Sequence, residues 1–303
     1  MSAFKLATAQ YDIGFFSHWD EFAEKLETWI ANAAQQGAKL LVFPEYGSME
    51  LASLFGEAVY SDLQQQLRTM QTLLPKWHEI HQTLASRYDV LILASSFPTE
   101  LQAGRVVNRA TLFGPQGKLG HQDKLMMTRF ETEQWRISGG NHIEVIDTEL
   151  GRIGILICYD SEFPMIASQQ VAAGADLLLV PSCTDTQAGF HRVRIGCQAR
   201  ALEHQCYVVQ APTVGHAPWS EAVDVNTGRA SVYTPVDYGF PDDGILAEGT
   251  DDEPRWVFAT VDLREIARIR AEGQVFNHRD WPNQFALKGP EQFALKGPER
   301  GKL

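Results

Sequence analysis

Long apolar runs are absent from this sequence, and so is a basic segment followed by an apolar stretch at its start. A membrane-spanning helix needs about 20 consecutive apolar residues, and no segment reaches that length. The opening residues, MSAFKLATAQYDIG, also lack the pattern of a secretory signal peptide. We therefore expect a cytoplasmic protein with no membrane partner.

Cysteine is scarce: the sequence has only Cys158, Cys183, Cys197 and Cys206. They form no CxxC pair, and no Cys/His cluster has the spacing of zinc ligands. We expect free thiols in a reducing compartment and no metal site. Most of the four should be packing residues, which leaves the question of which one is chemically active.

An excess of basic residues is also lacking, since the formal net charge is −12 and the isoelectric point is near 5.2. An acidic surface argues against a nucleic-acid partner or an anionic membrane, because both require a basic face. What the chain does have is 303 residues with 44% hydrophobic composition, which is enough for a large core. We expect a globular protein, and the acidic balance by itself does not select a small-molecule substrate.

Short apolar runs alternate with amphipathic segments along the chain. Phe4–Gln10 has the pattern of a strand, Trp19–Gln36 has helical spacing, and Val106–Phe113 with Lys118–Lys124 predicts a hairpin. Further strands are predicted at Leu40–Phe43, Val90–Phe97, Ile143–Asp147, Arg152–Cys158, Asp176–Val180, Cys206–Ala211 and Trp256–Leu263, and further helices at Ser61–Arg87 (broken at Pro75), Pro164–Ala173, His191–His204 and Leu263–Ala271. The pattern indicates one α/β domain with mixed sheets and a loop at Ala217–Gly249.

Three polar residues directly follow predicted strands: Glu45, Lys124 and Cys158. A following helix would favour the thiolate of Cys158, a buried setting would raise the pKa of Glu45 toward neutrality, and a fixed ammonium at Lys124 would stabilise an oxyanion. Each also has an ordinary interpretation: a buried small residue, a loop carboxylate and a surface lysine.

Other residues offer competing chemistry. Cys183 also follows a strand and is a rival nucleophile, but no Glu/Lys pattern accompanies it. His191, His204 and His216 are alternatives as a base for a cysteine, although nothing in the spacing of the nine histidines selects one. Tyr46, Tyr159, Ser182 and Thr184 follow strands too, and we expect them to line the same pocket as substrate-binding residues.

Together and in this order, the three strand-end residues resemble the signature of the nitrilase superfamily of carbon–nitrogen hydrolases. The matching segments are Phe43-Pro44-Glu45-Tyr46, Asp123-Lys124-Leu125 and Ile157-Cys158-Tyr159-Asp160, with Phe163-Pro164, Gly174-Ala175-Asp176 and Arg200-Ala201-Leu202-Glu203 as flanking features. The similarity runs from about residue 4 to residue 281. It is greatest to an uncharacterised branch whose members are sometimes fused to an acetyltransferase domain.

The resemblance implies a four-layer α-β-β-α sandwich with two mixed sheets. It implies Cys158 as nucleophile, Glu45 as general base and acid, and Lys124 with the Tyr159 backbone N–H as the oxyanion site. The family has a second glutamate, for which Glu133 is preferred over Glu131 because a bulky aromatic follows just beyond it. The resemblance further implies a homodimer or higher homo-oligomer and no cofactor.

These expectations define the domains and the function. Residues 1–281 form the hydrolase domain, and residues 282–303 form a tail with a tandem octapeptide, FALKGPEQ then FALKGPER. The expected activity is hydrolysis of an amide or N-carbamoyl bond in a small molecule through a cysteine thioester. A true nitrilase and a non-catalytic binding module on the same fold are the alternatives.

Overall fold

The computed structural model describes residues 3–102 and 104–287. Its fourteen strands are β1 (Phe4–Asp12), β2 (Ala38–Val42), β3 (Leu91–Leu93), β4 (Phe97–Glu100), β5 (Val106–Gly114), β6 (Gly117–Asp123), β7 (Val145–Thr148), β8 (Gly151–Ile155), β9 (Leu177–Ser182), β10 (Tyr207–His216), β11 (Val225–Asn226), β12 (Ser231–Tyr233), β13 (Ile245–Glu248) and β14 (Arg255–Val261). Most of the repeated octapeptide lies outside the described residues.

The helices lie between these strands and at the carboxyl-terminal end. They are α1 (Trp19–Gln35), α2 (Glu57–Tyr60), α3 (Leu63–Met70), α4 (Leu74–Tyr88), α5 (Pro164–Ala172), α6 (Gln187–His204), α7 (Leu263–Glu272) and α8 (Asn277–Asp280). Short 3₁₀ turns cover Gly47–Phe55, Gln71–Leu73, Cys158–Glu162 and Trp281–Ala286, and Glu131–Trp135 forms one π-helical turn. None of the helices in the described residues is both long and apolar enough to span a membrane.

The strands form one curled mixed sheet with two halves. The central order is β4-β5-β3-β2-β1-β10-β9-β8-β7. The halves meet where the end of β1 runs parallel to β10, with Tyr11 opposite Thr213 and Asp12 opposite Val214. Before that junction β1 pairs with β2 and, in antiparallel register, with β14. The predicted α/β class with mixed strand pairing is therefore confirmed.

Side chains on the first half alternate between two hydrophobic clusters, because successive residues of a strand point to opposite faces. Leu6 and Leu40 join a cluster that also contains Leu178 and Val208 of the second half. Their chain neighbours face the other way, into a cluster with α1 and α4. That second cluster includes Ala7, Leu41, Ile92, Phe22, Ile30, Trp77 and Leu84. Both faces of this half are buried, which explains why its strands have nearly continuous apolar sequences.

Two predicted elements differ from the structure. Val90–Phe97 is predicted as one strand, but β3 ends at Leu93 and β4 begins at Phe97, with residues 94–96 between them. At the interruption the Ser96 hydroxyl accepts a hydrogen bond from the Tyr46 backbone N–H (2.9 Å). The segment Ala217–Gly249 was expected to be a loop, yet it contains β11, β12 and β13. These strands are only two to four residues long, too short to give a detectable period of two.

The predicted break at Pro75 is confirmed. It lies in the first turn of α4, where a missing backbone N–H removes no intrahelical bond. The expected single helix is divided here into α3 and α4 by the turn Gln71–Leu73.

Candidate active site

Cys158 lies at a tight turn between a strand and a helix. β8 ends at Ile155, Cys158 begins the 3₁₀ turn Cys158–Glu162, and α5 starts at Pro164. The backbone of Cys158 has φ of 51°, a left-handed conformation that is costly for a residue other than glycine and is often found at functional sites. The side chain is only 4% exposed, and its Sγ lies 3.7 Å from the Cys183 carbonyl oxygen.

Glu45 and Lys124 meet beside this cysteine. Glu45 follows β2 and Pro44, and Lys124 follows β6 directly. Lys124 Nζ donates to Glu45 Oε1 at 2.7 Å, and each side chain is 1% exposed. Cys158 and Glu45 are close enough for each group to influence the pKa of the other, and both line one cavity with Lys124. The structure thus brings together three side chains that are 79 and 34 residues apart along the chain, 124 − 45 and 158 − 124.

Glu131, rather than Glu133, is the second glutamate beside Lys124. Lys124 Nζ donates to both Glu131 carboxylate oxygens, at 2.8 and 2.7 Å. Glu133, the residue preferred in the sequence analysis, has a side chain 55% exposed and accepts from the Arg129 Nε at 2.8 Å. The two glutamates are two positions apart on one helical turn, and residues with that spacing project to opposite sides.

Further donors fix the Glu131 carboxylate. The Tyr46 hydroxyl donates to Oε1 at 2.6 Å. The backbone N–H and the hydroxyl of Thr128 donate to Oε2 at 2.9 and 2.8 Å. Tyr46 itself packs against Trp135, with ring centroids 4.6 Å apart. Glu131 is therefore surrounded by hydrogen-bond donors, as an ionised buried carboxylate requires.

Burial and neighbouring charge set the protonation states of these groups. Burial raises the pKa of Glu45 to about 7, against an opposing effect of Lys124. Burial lowers the pKa of Lys124, but Glu131 and Glu45 outweigh it and raise that pKa well above its usual value. Burial likewise opposes ionisation of Glu131, but Lys124 holds its pKa below the usual value. Lys124 and Glu131 thus form a buried ion pair, whereas Glu45 titrates near neutral pH.

The resting state of Cys158 differs from the sequence-based expectation. A thiolate was expected because a helix starts soon after this residue. Burial and the nearby Glu45 carboxylate instead raise the pKa of the Cys158 thiol well above its usual value. The proton therefore stays on the sulfur at rest, because burial and the negative charge of Glu45 both disfavour the thiolate.

Asp160 connects the turn that begins at Cys158 to the loop that follows Lys124. Its carboxylate is fully buried and accepts from the backbone N–H groups of Leu125 (3.1 Å), Met126 (2.7 Å) and Ile157 (3.1 Å). These donors immediately follow Lys124 or precede Cys158 in the chain. Burial raises the pKa of Asp160 to about 6 despite these donors. The sequence analysis included Asp160 in a matched segment but assigned it no role.

A cavity of about 560 Å³ opens onto these residues. Tyr46, Tyr159, Cys183 and Thr184 line it, as do Glu45, Lys124, Glu131 and Cys158. Ser182, predicted to bind substrate, does not line it: the side chain is fully buried, with its hydroxyl 3.5 Å from the Ala211 carbonyl oxygen. Ser182 is the last residue of β9 and still belongs to the sheet, whereas the two residues after it reach the cavity.

Cys183 and the histidines, the alternatives to Cys158 and Glu45, have different surroundings. The Cys183 thiol donates to Asn226 Oδ1 at 3.2 Å, and burial raises its pKa to about 12. None of the histidines in the described part of the chain lines the cavity, and His204 packs against Trp281 at 4.5 Å between ring centroids. Among residues 3–102 and 104–287, no group of three or more His, Cys, Asp or Glu side chains has the arrangement of a metal site.

The carbon-nitrogen hydrolase family profile matches residues 5–271 of this sequence. The chain belongs to the carbon-nitrogen hydrolase family. The predicted membership of the nitrilase superfamily is confirmed by this match and by relatives with the same fold.

Two relatives illustrate the range of the family. The probable hydrolase YhcX of Bacillus subtilis (strain 168) is 34% identical over 276 residues, which cover 91% of this chain but only 53% of that protein. This chain therefore spans about half the length of that relative. The omega-amidase NIT2 of Homo sapiens is 26% identical over 287 residues, covering 92% of this chain and 96% of that protein.

Solved structures share the fold at lower identity. Nit3 of Saccharomyces cerevisiae, a member of the nitrilase superfamily, superposes with a TM-score of 0.71 at 21% identity, covering 89% of this chain and 93% of that one. An amidase from Nesterenkonia sp. AN1, with acrylamide added to its active-site cysteine, has a TM-score of 0.68 at 22% identity and covers 92% of this chain and 99% of its own.

Proposed function

We propose that this protein hydrolyses the carbon–nitrogen bond of a small-molecule amide or N-carbamoyl compound, with Cys158 as nucleophile. The observation that carries the proposal is the contact between Lys124 and Glu45 next to the Cys158 thiol, at the wall of one cavity. The amidase activity in the printed names of relatives supports the same class of reaction.

In the first step Glu45 takes the thiol proton while the sulfur attacks the substrate carbonyl carbon. A base with a pKa of about 7 is suited to this exchange, because it can accept a proton and return it at neutral pH. The protonated Glu45 then donates to the departing ammonia or amine, and the acyl group remains on Cys158 as a thioester. Glu45 next removes a proton from water, which attacks the thioester and releases the carboxylic acid and the free thiol.

Lys124 stabilises the tetrahedral oxygen together with the Tyr159 backbone N–H. An ammonium group has three N–H donors, and at rest Glu131 accepts two and Glu45 accepts the third. When Glu45 takes the thiol proton it becomes neutral, so its attraction for Lys124 falls. One ammonium N–H is then released toward the oxygen at the moment when negative charge develops there. Glu131 keeps Lys124 charged and in place.

The test is turnover of a panel of amides, N-carbamoyl compounds and nitriles, measured as ammonia release by the purified full chain. Cys158→Ala should reduce turnover of any accepted amide by at least about a thousandfold. Cys183→Ala is the matched control, because it removes a second thiol that lines the same cavity, and its turnover should stay within about threefold of wild type. Retained activity in Cys158→Ala would overturn the mechanism.

The thioester has its own test. Wild type that is quenched with acid during turnover of an accepted amide should carry the acyl group on Cys158. Intact-mass measurement of the quenched protein should show an added acyl group in place of one hydrogen. The same measurement on Cys158→Ala should show no addition.

We also propose the finer architecture implied by the family resemblance. The two halves of the sheet pack face to face, with α1 and α4 on one outside and α5 and α6 on the other, which gives a four-layer sandwich. The hydrophobic cluster shared by both halves supports this arrangement. Residues 1–281 form the hydrolase domain and the remainder a tail.

The assembly and location are further proposals. Met165 on α5 and Ile195 and Leu202 on α6 are 51%, 64% and 44% exposed, and this apolar surface supports a homodimer formed through these helices. Light scattering at micromolar concentration should give twice the mass of the chain. A cytoplasmic location agrees with the free thiols.

A further inference from the structure

One oxygen of the Glu45 carboxylate already has two donors. Oε1 accepts from Lys124 Nζ at 2.7 Å and from Asn108 Nδ2 at 2.9 Å. A carboxylate oxygen has two lone pairs, so these two donors saturate Oε1. The thiol proton of Cys158 therefore has to be accepted by Oε2.

Asn108 is held rigidly for this contact. It lies in β5, and its backbone carbonyl oxygen accepts from the Lys124 backbone N–H at 2.8 Å. The side chain is fully buried and is not among the residues that line the cavity. It contacts Glu45 but has no access to a substrate.

The side-chain oxygen of Asn108, Oδ1, is a second observation that points to a functional role for this residue. Its Oδ1 is buried and has no hydrogen-bond partner among the described residues. An unpartnered buried carbonyl lowers stability. Rotating the amide would not help, because Oδ1 would then face the Glu45 oxygen, another acceptor. The orientation that directs the Asn108 amide N–H toward Glu45 therefore leaves Oδ1 buried without a hydrogen-bond partner among the described residues.

We propose that Asn108 is a positioning residue of the reaction: with Lys124 it holds Oε1 of Glu45, and so makes Oε2 the oxygen that exchanges protons with Cys158. This inference rests on the proposed function. It predicts that loss of the Asn108 amide misorients the base and destabilises its ionised form, without any change in substrate binding.

Besides Asn108, several titratable groups interact electrostatically with the Glu45 carboxyl group, and they lie on every element packed around it. They are Lys124 after β6, Glu131 in the π-helical turn, Cys158 after β8, Cys183 after β9, and Tyr46. All of them remain in an Asn108 variant, so a change in the titration of Glu45 can be assigned to the lost donor. A donor to the charged form lowers the pKa of a carboxyl group, and its removal raises that pKa.

The experiment measures how fast iodoacetamide alkylates Cys158 between pH 5 and pH 9, with the modified peptide identified by mass spectrometry. In wild type the rate should rise with a midpoint near the Glu45 pKa of about 7. In Asn108→Ala the midpoint should move up by about one pH unit. Once an accepted amide is known, kcat at pH 7 should fall about tenfold while KM stays within about twofold.

Gln122→Ala is the matched control. It removes a buried amide from the adjacent strand β6, where Gln122 bonds the backbone at Asp123, His142 and Glu144 but does not contact Glu45. This variant should lower the melting temperature and leave the alkylation midpoint unchanged. A midpoint in Asn108→Ala equal to wild type, or an equal movement in Gln122→Ala, would overturn the proposal.

Two further outcomes are informative. If Asn108→Ala does not fold, Asn108→Asp retains the side-chain volume and puts a second carboxyl group beside Oε1; its midpoint should move upward by more than one unit, and an unchanged midpoint overturns the proposal. If wild type hydrolyses none of the panel compounds, the proposed function fails, whereas the alkylation midpoints still decide the role of Asn108.

Discussion

Glu131 and Glu133 offer a paired perturbation within one helical turn. In Glu131→Gln, an amide replaces a carboxylate that accepts two hydrogen bonds from Lys124, one from Tyr46 and two from Thr128. Removing one partner of a buried ion pair lowers stability by about 3–5 kcal/mol. Because Lys124 keeps Glu45 as a partner, we expect the lower end, about 3 kcal/mol, and a melting temperature lower by about 5 °C.

The same change has a predictable effect on the pH dependence. The negative charge of Glu131 is one of the influences that raise the pKa of Glu45 to about 7. In Glu131→Gln that influence is gone and Lys124 is shared with Glu45 alone, so the Glu45 pKa should fall. The midpoint of Cys158 alkylation should move to lower pH, opposite to the direction expected for Asn108→Ala. Turnover should nevertheless decrease at least tenfold or so, because Lys124 is drawn toward Glu45 and away from the oxyanion.

Glu133→Gln is the control. Its side chain is 55% exposed and its partner Arg129 is 86% exposed, so this ion pair contributes little. We expect unchanged melting, an unchanged alkylation midpoint and turnover within about twofold of wild type. Thermal unfolding and pH-dependent alkylation measure the first two without a known substrate, and turnover is compared once an accepted amide is known. The reasoning is refuted if Glu133→Gln impairs the protein while Glu131→Gln behaves as wild type.

Three other predictions concern Asp160, Glu45 and Trp281. Asp160→Asn places an amide N–H₂ against backbone N–H donors, so the turn at Cys158 should separate from the loop that follows Lys124. Steady-state kinetics with an accepted amide should show kcat lower by about tenfold or more with little change in KM. An unchanged kcat would contradict this role of Asp160. The pKa of Glu45 is about 7 in the fold, raised from 4.5, so this carboxyl group stabilises the folded state at low pH and that contribution is lost as the pH rises through 7. Glu45→Gln should therefore have a higher melting temperature than wild type at pH 8.5 and a smaller difference at pH 5. A lower melting temperature of Glu45→Gln at pH 8.5 would contradict this. Trp281 is partly buried, donates to the Ser168 hydroxyl at 2.7 Å and packs on His204. Trp281→Ala should lower the free energy of unfolding by about 1–2 kcal/mol, measured by denaturant unfolding, and leave the alkylation midpoint of Cys158 unchanged.

The strand-end residues show how far the sequence could be interpreted. Glu45 and Cys158 each follow an apolar run, and Lys124 follows the second strand of a predicted hairpin. Such segments become sheet strands whose ends meet at one edge. Their order along the chain and their surroundings were therefore accessible from the sequence. The strands β11, β12 and β13 were not accessible, because each is too short for its own pattern and exists only by pairing with β10 or with one another.

The contacts around the candidate nucleophile show what was missed. No role for Asn108 was predicted from the sequence, and only its distance to Glu45 reveals one. The choice between Glu131 and Glu133 depended on the direction of one π-helical turn, which no local pattern encodes. The state of the thiol depended on burial and on a carboxylate that is remote in sequence.

By itself the sequence determined the α/β class, the family and the three residues at the strand ends, because apolar periodicity and short motifs are local properties of a chain. The tertiary structure alone decided that Glu131 faces Lys124, that the Cys158 proton rests on sulfur, and that Asn108 and Asp160 support the site. Those outcomes depend on distances and desolvation between segments far apart in the chain, and both arise only when the segments pack.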